Sequence, residues 1–92
     1  MAEYLVERYV PRSDTDAVDV AAQRARREAE RLSSEGTPVR LVRTIFVPED
    51  ETCFYLYEAE SSDAVIEAAR RAELRVDRIA QTVSAGWKGD RP

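Results

Sequence analysis

Three consecutive stretches decide the fold: PVRLVRTIFV (38–47), PEDE (48–51) and TCFYLYEA (52–59). The outer two are rich in β-branched and aromatic residues, and a short polar turn separates them, so they read as a β-hairpin. With Val47 set against Thr52, one face pairs Ile45 with Phe54, Arg43 with Leu56 and Leu41 with Glu58. The other face pairs Phe46 with Cys53, Thr44 with Tyr55 and Val42 with Tyr57. A slip of one residue would turn every side chain over. Both faces are apolar in this register, Leu41, Ile45, Phe54 and Leu56 on one side and Val42, Phe46, Tyr55 and Tyr57 on the other. A sheet with one wet side should alternate with polar residues there. This one does not, so whichever face the helices leave bare needs a cover.

Outward from the hairpin, Glu3 to Val10 (EYLVERYV) reads as a strand that Pro11 ends, because proline cannot donate to a ladder. Ser13 or Asp14 is the expected cap of a helix running to about Ser34. Val18, Ala21, Ala22, Ala25, Ala29 and Leu32 recur at three- and four-residue steps and form its apolar stripe. The stripe is mostly alanine, which lets a helix sit close to a sheet. Gly36 is the stop signal. Ser61-Ser62-Asp63 opens a second helix with the stripe Ala64, Val65, Ala68, Ala69 and Ala72, ending near Glu73 or Leu74. Val76 to Ala85 reads as the last strand.

This β-α-β-β-α-β order predicts an α+β, ferredoxin-like sandwich. Each crossover is right-handed, so both helices land on one face of a four-stranded antiparallel sheet of order 4-1-3-2. Residues 1–85 form one domain and 86–92, with Trp87, a tail. The bare face predicts a homodimer through the open side of the sheet, in the manner of a dimeric α/β barrel, with the tail and its Trp87 folding back over the sheet as the alternative cover.

Bulk properties exclude several classes. With 92 residues the chain is one domain with little room for an internal cavity. Net charge is −4, so nucleic acid and an anionic membrane are poor partners. No apolar stretch is long enough for a signal peptide or a membrane span, and the single cysteine cannot form an internal disulfide, so a cytoplasmic location is expected. Histidine is absent. The usual base, proton shuttle and metal ligand are therefore missing.

The remaining chemistry is sparse. Cys53 has two readings, a small buried hydrophobe or a thiol activated by a cross-strand arginine. Glu7, Arg8 and Glu58 are charges inside apolar strands, with Arg43 and Arg78 as available partners. They read as ion pairs at a sheet edge or dimer rim, or as the polar floor of a cleft walled by Tyr4, Tyr9, Tyr55 and Tyr57. On the cleft reading, Glu7, Tyr9, Arg43, Tyr55, Tyr57 and Glu58 bind the ligand. The arginines of the first helix alternate with Glu28 and Glu30, as on a solvated face. The acidic turn Glu49-Asp50-Glu51 reads as a hairpin tip. There is no CxxC, phosphate loop or dinucleotide fingerprint.

Tyr4 to Arg8, Cys53 to Ala59, and Val65 to Ile79 together resemble a small bacterial family of unknown function with a ferredoxin-like fold. One described member is a dimeric nickel-binding protein, and the family carries a nickel-responsive label. The resemblance spans residues 3 to about 83. It implies a small binding protein, with nickel as the cofactor and Cys53 as the metal residue left to this chain. Where the family pattern has histidine in the second helix and a Gly-Leu-Pro turn at its end, this chain has Ala68-Ala69-Arg70-Arg71-Ala72-Glu73-Leu74-Arg75. A second expectation comes from the likeness of Leu56-Tyr57-Glu58 and the following helix to the dimeric α/β-barrel group. It is a cofactor-free enzyme, monooxygenase- or cyclase-like, with Glu7, Glu58 or a tyrosine as acid or base.

Overall fold

A computed structural model describes residues 1–83. The elements are β1 (Ala2–Tyr9), α1 (Thr15–Ser34), β2 (Val39–Val47), β3 (Thr52–Ala59), α2 (Ser62–Arg71) and β4 (Arg78–Thr82), with a single 3-10 turn, Pro48–Asp50, inside the hairpin. All strand pairs are antiparallel and the order is β2-β3-β1-β4, the predicted 4-1-3-2 viewed from the other edge. The expected tail 86–92, with Trp87, and the end of the expected last strand lie outside the described residues.

The helices bury their alanine stripes against one side of the sheet. Val18, Ala21, Ala25, Ala29 and Leu32 of α1 are buried, as are Ala64, Val65, Ala68 and Ala69 of α2. Opposite them lie Tyr4 and Val6 of β1, Val39 and Leu41 of β2, and Cys53, Tyr55, Tyr57 and Ala59 of β3, all buried. Small helix residues opposite large strand residues let the two layers approach closely.

The hairpin follows the expected register from Val47↔Thr52 back to Arg43↔Leu56 and then departs from it. Leu41 pairs with Tyr57 and Arg40 with Glu58, leaving Val42 as the extra residue of a β-bulge. The expected pairs Leu41–Glu58 and Val42–Tyr57 are therefore corrected. The bulge moves Leu41 from the face of Ile45 and Phe54 to the helix-covered face, where it is buried.

Two further details anchor the ends of the sheet. Glu51 adopts a left-handed backbone (φ 48°) that closes the hairpin turn, and its carboxylate accepts a 2.9 Å hydrogen bond from the Arg12 backbone N–H. The expected solvated hairpin tip is thus tied to the β1–α1 loop. Between the helices, the Arg24 guanidinium donates to the Ala72 carbonyl at the end of α2, and Arg71 pairs with Glu35 at 2.9 Å. Glu28 pairs with Arg31, not with an arginine one turn earlier. Asp14 stands at the start of α1 without a side-chain capping bond, whereas Ser61 caps α2 by accepting from the Ala64 N–H.

Candidate functional site

The side of the sheet away from the helices carries one row running Arg43, Leu56, Leu5, Ala80 across all four strands, and beside it a row Ile45, Phe54, Glu7, Arg78. Leu5, Phe54 and Leu56 are half-buried and Ile45 is 45% exposed. Ion pairs bracket this apolar centre. Arg78 Nη1 donates to Glu7 Oε2 at 2.6 Å near one edge, and Arg40 Nη2 to Glu58 Oε1 at 2.8 Å near the other. The carboxylates of both strands thus found arginine partners, Arg78 as anticipated and Arg40 where Arg43 had been the candidate. Exposed pairs of this kind contribute only about 0–1 kcal/mol each.

The six expected ligand residues do not form one cluster. Glu7, Tyr9, Arg43 and Glu58 lie on the open face. Tyr55 and Tyr57 lie on the other, fully buried beneath the helices. A strand alternates sides, so Phe54 and Leu56 face outward because Tyr55 and Tyr57 face inward. Tyr4 is buried with them and Tyr9 is 60% exposed, so the tyrosines do not wall a common cleft.

Cys53 has no exposed surface. Its cross-strand neighbour is Arg8, whose Nη1 donates to the Tyr55 hydroxyl at 3.1 Å. Burial pushes the thiol above its ordinary pKa, and the opposing influences of Tyr55 and Arg8 do not offset it. Burial likewise pushes Tyr55 up to about 12. Tyr57 is also raised by burial, and its hydroxyl has no hydrogen-bond partner among the described residues. The same holds for the Thr44 hydroxyl, whose residue pairs with Tyr55. The arginine foreseen beside Cys53 is present, yet it sits by a thiol that desolvation keeps protonated.

Sequence reasoning missed one concavity. A cleft of about 500 Å³ opens between the second half of α1 and the start of β2, floored by Ala29, Val39 and Leu41 and bordered by Arg26 and Arg40. None but the bulge places Leu41 there, so no pattern in the chain announced it.

A two-layer α+β sandwich with one helix-covered and one bare sheet face defines the ferredoxin-like class of small proteins. Within that class, residues 4–82 match the family described as "Nickel responsive protein SCO4226-like", and the chain belongs to it. The crystal structure of SCO4226 from Streptomyces coelicolor A3(2) aligns with 91% of this chain and 100% of its own, with a TM-score of 0.73 and 22% identity, which supports the fold. No curated protein matches.

The family's description raises nickel, and the donor set can be tested against it. Nickel favours imidazole nitrogen, thiolate sulfur and tetragonal geometry. This chain has no histidine and one cysteine, and that cysteine is a buried thiol beside a guanidinium. Among the described residues no three Cys, Asp or Glu side chains gather closely enough to hold a metal ion. The residues do not fit nickel. Among the same residues, no helix is long and apolar enough to cross a membrane.

Proposed function

We propose that the chain is a small binding protein that works as a homodimer, joined through the open face of its sheet. The observation that carries this reading is the apolar patch of Leu5, Ile45, Phe54 and Leu56 flanked by two arginine–glutamate pairs, Arg78–Glu7 and Arg40–Glu58. A dry centre with a polar rim is the anatomy of a protein interface. The patch also suits a second copy in particular. The face holds three arginines, Arg40, Arg43 and Arg78, and three glutamates, Glu3, Glu7 and Glu58, so a two-fold pairing can set unlike charges against each other. Any small ligand then binds where the two faces meet, near Glu7, Tyr9, Arg43 and Glu58. Membership of a family described by its response to a small ion supports a binding role over a catalytic one.

Sedimentation equilibrium tests the pairing. A two-chain mass at micromolar concentration is expected, with Phe54→Glu shifting the protein to a single chain of unchanged circular dichroism. A wild-type chain that stays single throughout that concentration range would remove the proposal.

A further inference from the structure

We infer that this chain is a nickel-independent member of its family, in which Cys53 is a closed part of the core guarded by Arg8 and Tyr55. The inference goes beyond the dimer reading and does not rest on it.

A nickel centre needs soft or borderline ligands that converge with their charge available. Imidazole is absent from the whole chain, so a thiolate is the single strong donor it can offer. Carboxylate oxygens alone suit magnesium and calcium better than nickel. The thiolate must then form, be reached, and accept a divalent cation. Cys53 meets none of these requirements.

Burial sets the first obstacle. Cys53 has no accessible surface and lies beside Tyr55 on the helix-covered face of β3, so creating a negative sulfur there carries a desolvation cost. Geometry sets the second. On β1 the residue directly across from Cys53 is Arg8, and the guanidinium is fixed in place by its 3.1 Å bond to the Tyr55 hydroxyl. An arriving nickel ion would meet a resident cation in a medium of low dielectric, where like charges repel strongly. The third obstacle is the lack of company. On the same face the next residues of β3 are Tyr55 and Tyr57, and those of β1 are Val6 and Tyr4, none a carboxylate. The glutamates of these strands, Glu3, Glu7 and Glu58, lie on the opposite side of the sheet, and Glu7 and Glu58 are already paired with arginine.

The same arrangement explains why Arg8 stands on the helix-facing side of β1, where its neighbours are Tyr4 and Val6. Its head donates to the Tyr55 hydroxyl, which also meets the Cys53 thiol, so this phenol is satisfied where the Thr44 and Tyr57 hydroxyls have no partner among the described residues. Thiol, phenol and guanidinium form one packed corner.

The test uses the full chain prepared without a histidine tag. Equilibrium dialysis against micromolar nickel chloride is expected to leave equal nickel on both sides of the membrane, with no thiolate-to-nickel charge-transfer band. In a parallel arm, a disulfide reagent is expected to modify Cys53 about a hundredfold or more slower in the native protein than in denaturant, since it is reached only when the core opens. Retention of about one nickel per chain overturns the inference, whether Cys53→Ser abolishes that binding or leaves it intact. Rapid native modification of the thiol overturns the guarded corner. Neither outcome touches the dimer, which is read from sedimentation.

Discussion

Tyr55 and Tyr57 stand two residues apart on the same buried face, yet their hydroxyls differ. Tyr55 has Arg8 as a donor, and Tyr57 has no partner among the described residues. A buried hydroxyl without a hydrogen bond costs roughly 1–3 kcal/mol of desolvation. Tyr57→Phe is therefore expected to leave stability unchanged or raise it by about 1 kcal/mol at neutral pH. The alkaline limb adds a second signature. Burial raises Tyr55 from 10.0 to about 12 and raises Tyr57 as well, so the folded chain holds these protons more tightly than the unfolded chain. The stability tied to them is full below pH 10.0 and is lost as pH climbs toward about 12. Urea midpoints followed by circular dichroism should fall across that window, and Tyr57→Phe should fall less steeply. Parallel curves for the two proteins would contradict this. Which way these tyrosines point was not legible in the chain. Both faces of β3 are apolar, so alternation there identifies two sets without saying which one the helices cover.

At the level of the elements, the helices illustrate how much local chemistry the chain displays. Each ends in the same double-bonded closure, a Schellman motif. In α1 the Gly36 N–H meets the Ser33 carbonyl at 3.0 Å and Thr37 meets Leu32 at 3.1 Å; in α2 the Glu73 N–H meets Arg70 at 3.0 Å and Leu74 meets Ala69 at 2.9 Å. Gly36 announced the first ending. The second is harder to read because Glu73 takes the left-handed backbone (φ 60°) that glycine adopts without penalty. The expected ending near Glu73 or Leu74 thus overran the last helical residue, Arg71, by the length of the closure. Glu73 is exposed and its carboxylate has no partner among the described residues, so Glu73→Gly should stabilise the protein by about 0.5–1 kcal/mol, while Gly36→Ala should cost about 1 kcal/mol. Denaturant titration of both variants checks the pair, and a loss of stability in Glu73→Gly would refute the assignment. The β2 bulge was illegible for a different reason. Leu41 and Val42 are both apolar, so an extra residue inserted between them breaks no pattern.

For the whole molecule, the two sides of the sheet have unequal claims on water. The helix side is closed by complete burial of Val6, Cys53, Tyr55, Tyr57 and Val65, and the helices are tied to each other through Arg24 and Arg71. That core is finished within one protomer, so a single chain should fold alone. The open side is unfinished among the described residues. Its four large apolar side chains are already partly covered, so each gains about 1 kcal/mol on full burial, less than the roughly 1.5–3 kcal/mol of complete transfer from water. Eight of them in a pair give a total comparable to the entropic cost of association, which runs from about 4 kcal/mol upward. The balance predicts a dimer whose population depends on concentration, not an obligate one. Mass action then requires that Tm rise with protein concentration, because pairing stabilises only the folded chain. Leu56→Arg, at the centre of the row beside Leu5, places a charge in the middle of the patch and should abolish that dependence while preserving the fold. Its Tm should equal the value the wild-type protein approaches on dilution. A wild-type Tm that is flat over a hundredfold change in concentration, or a variant that keeps the slope, would show that the open face does not join two chains.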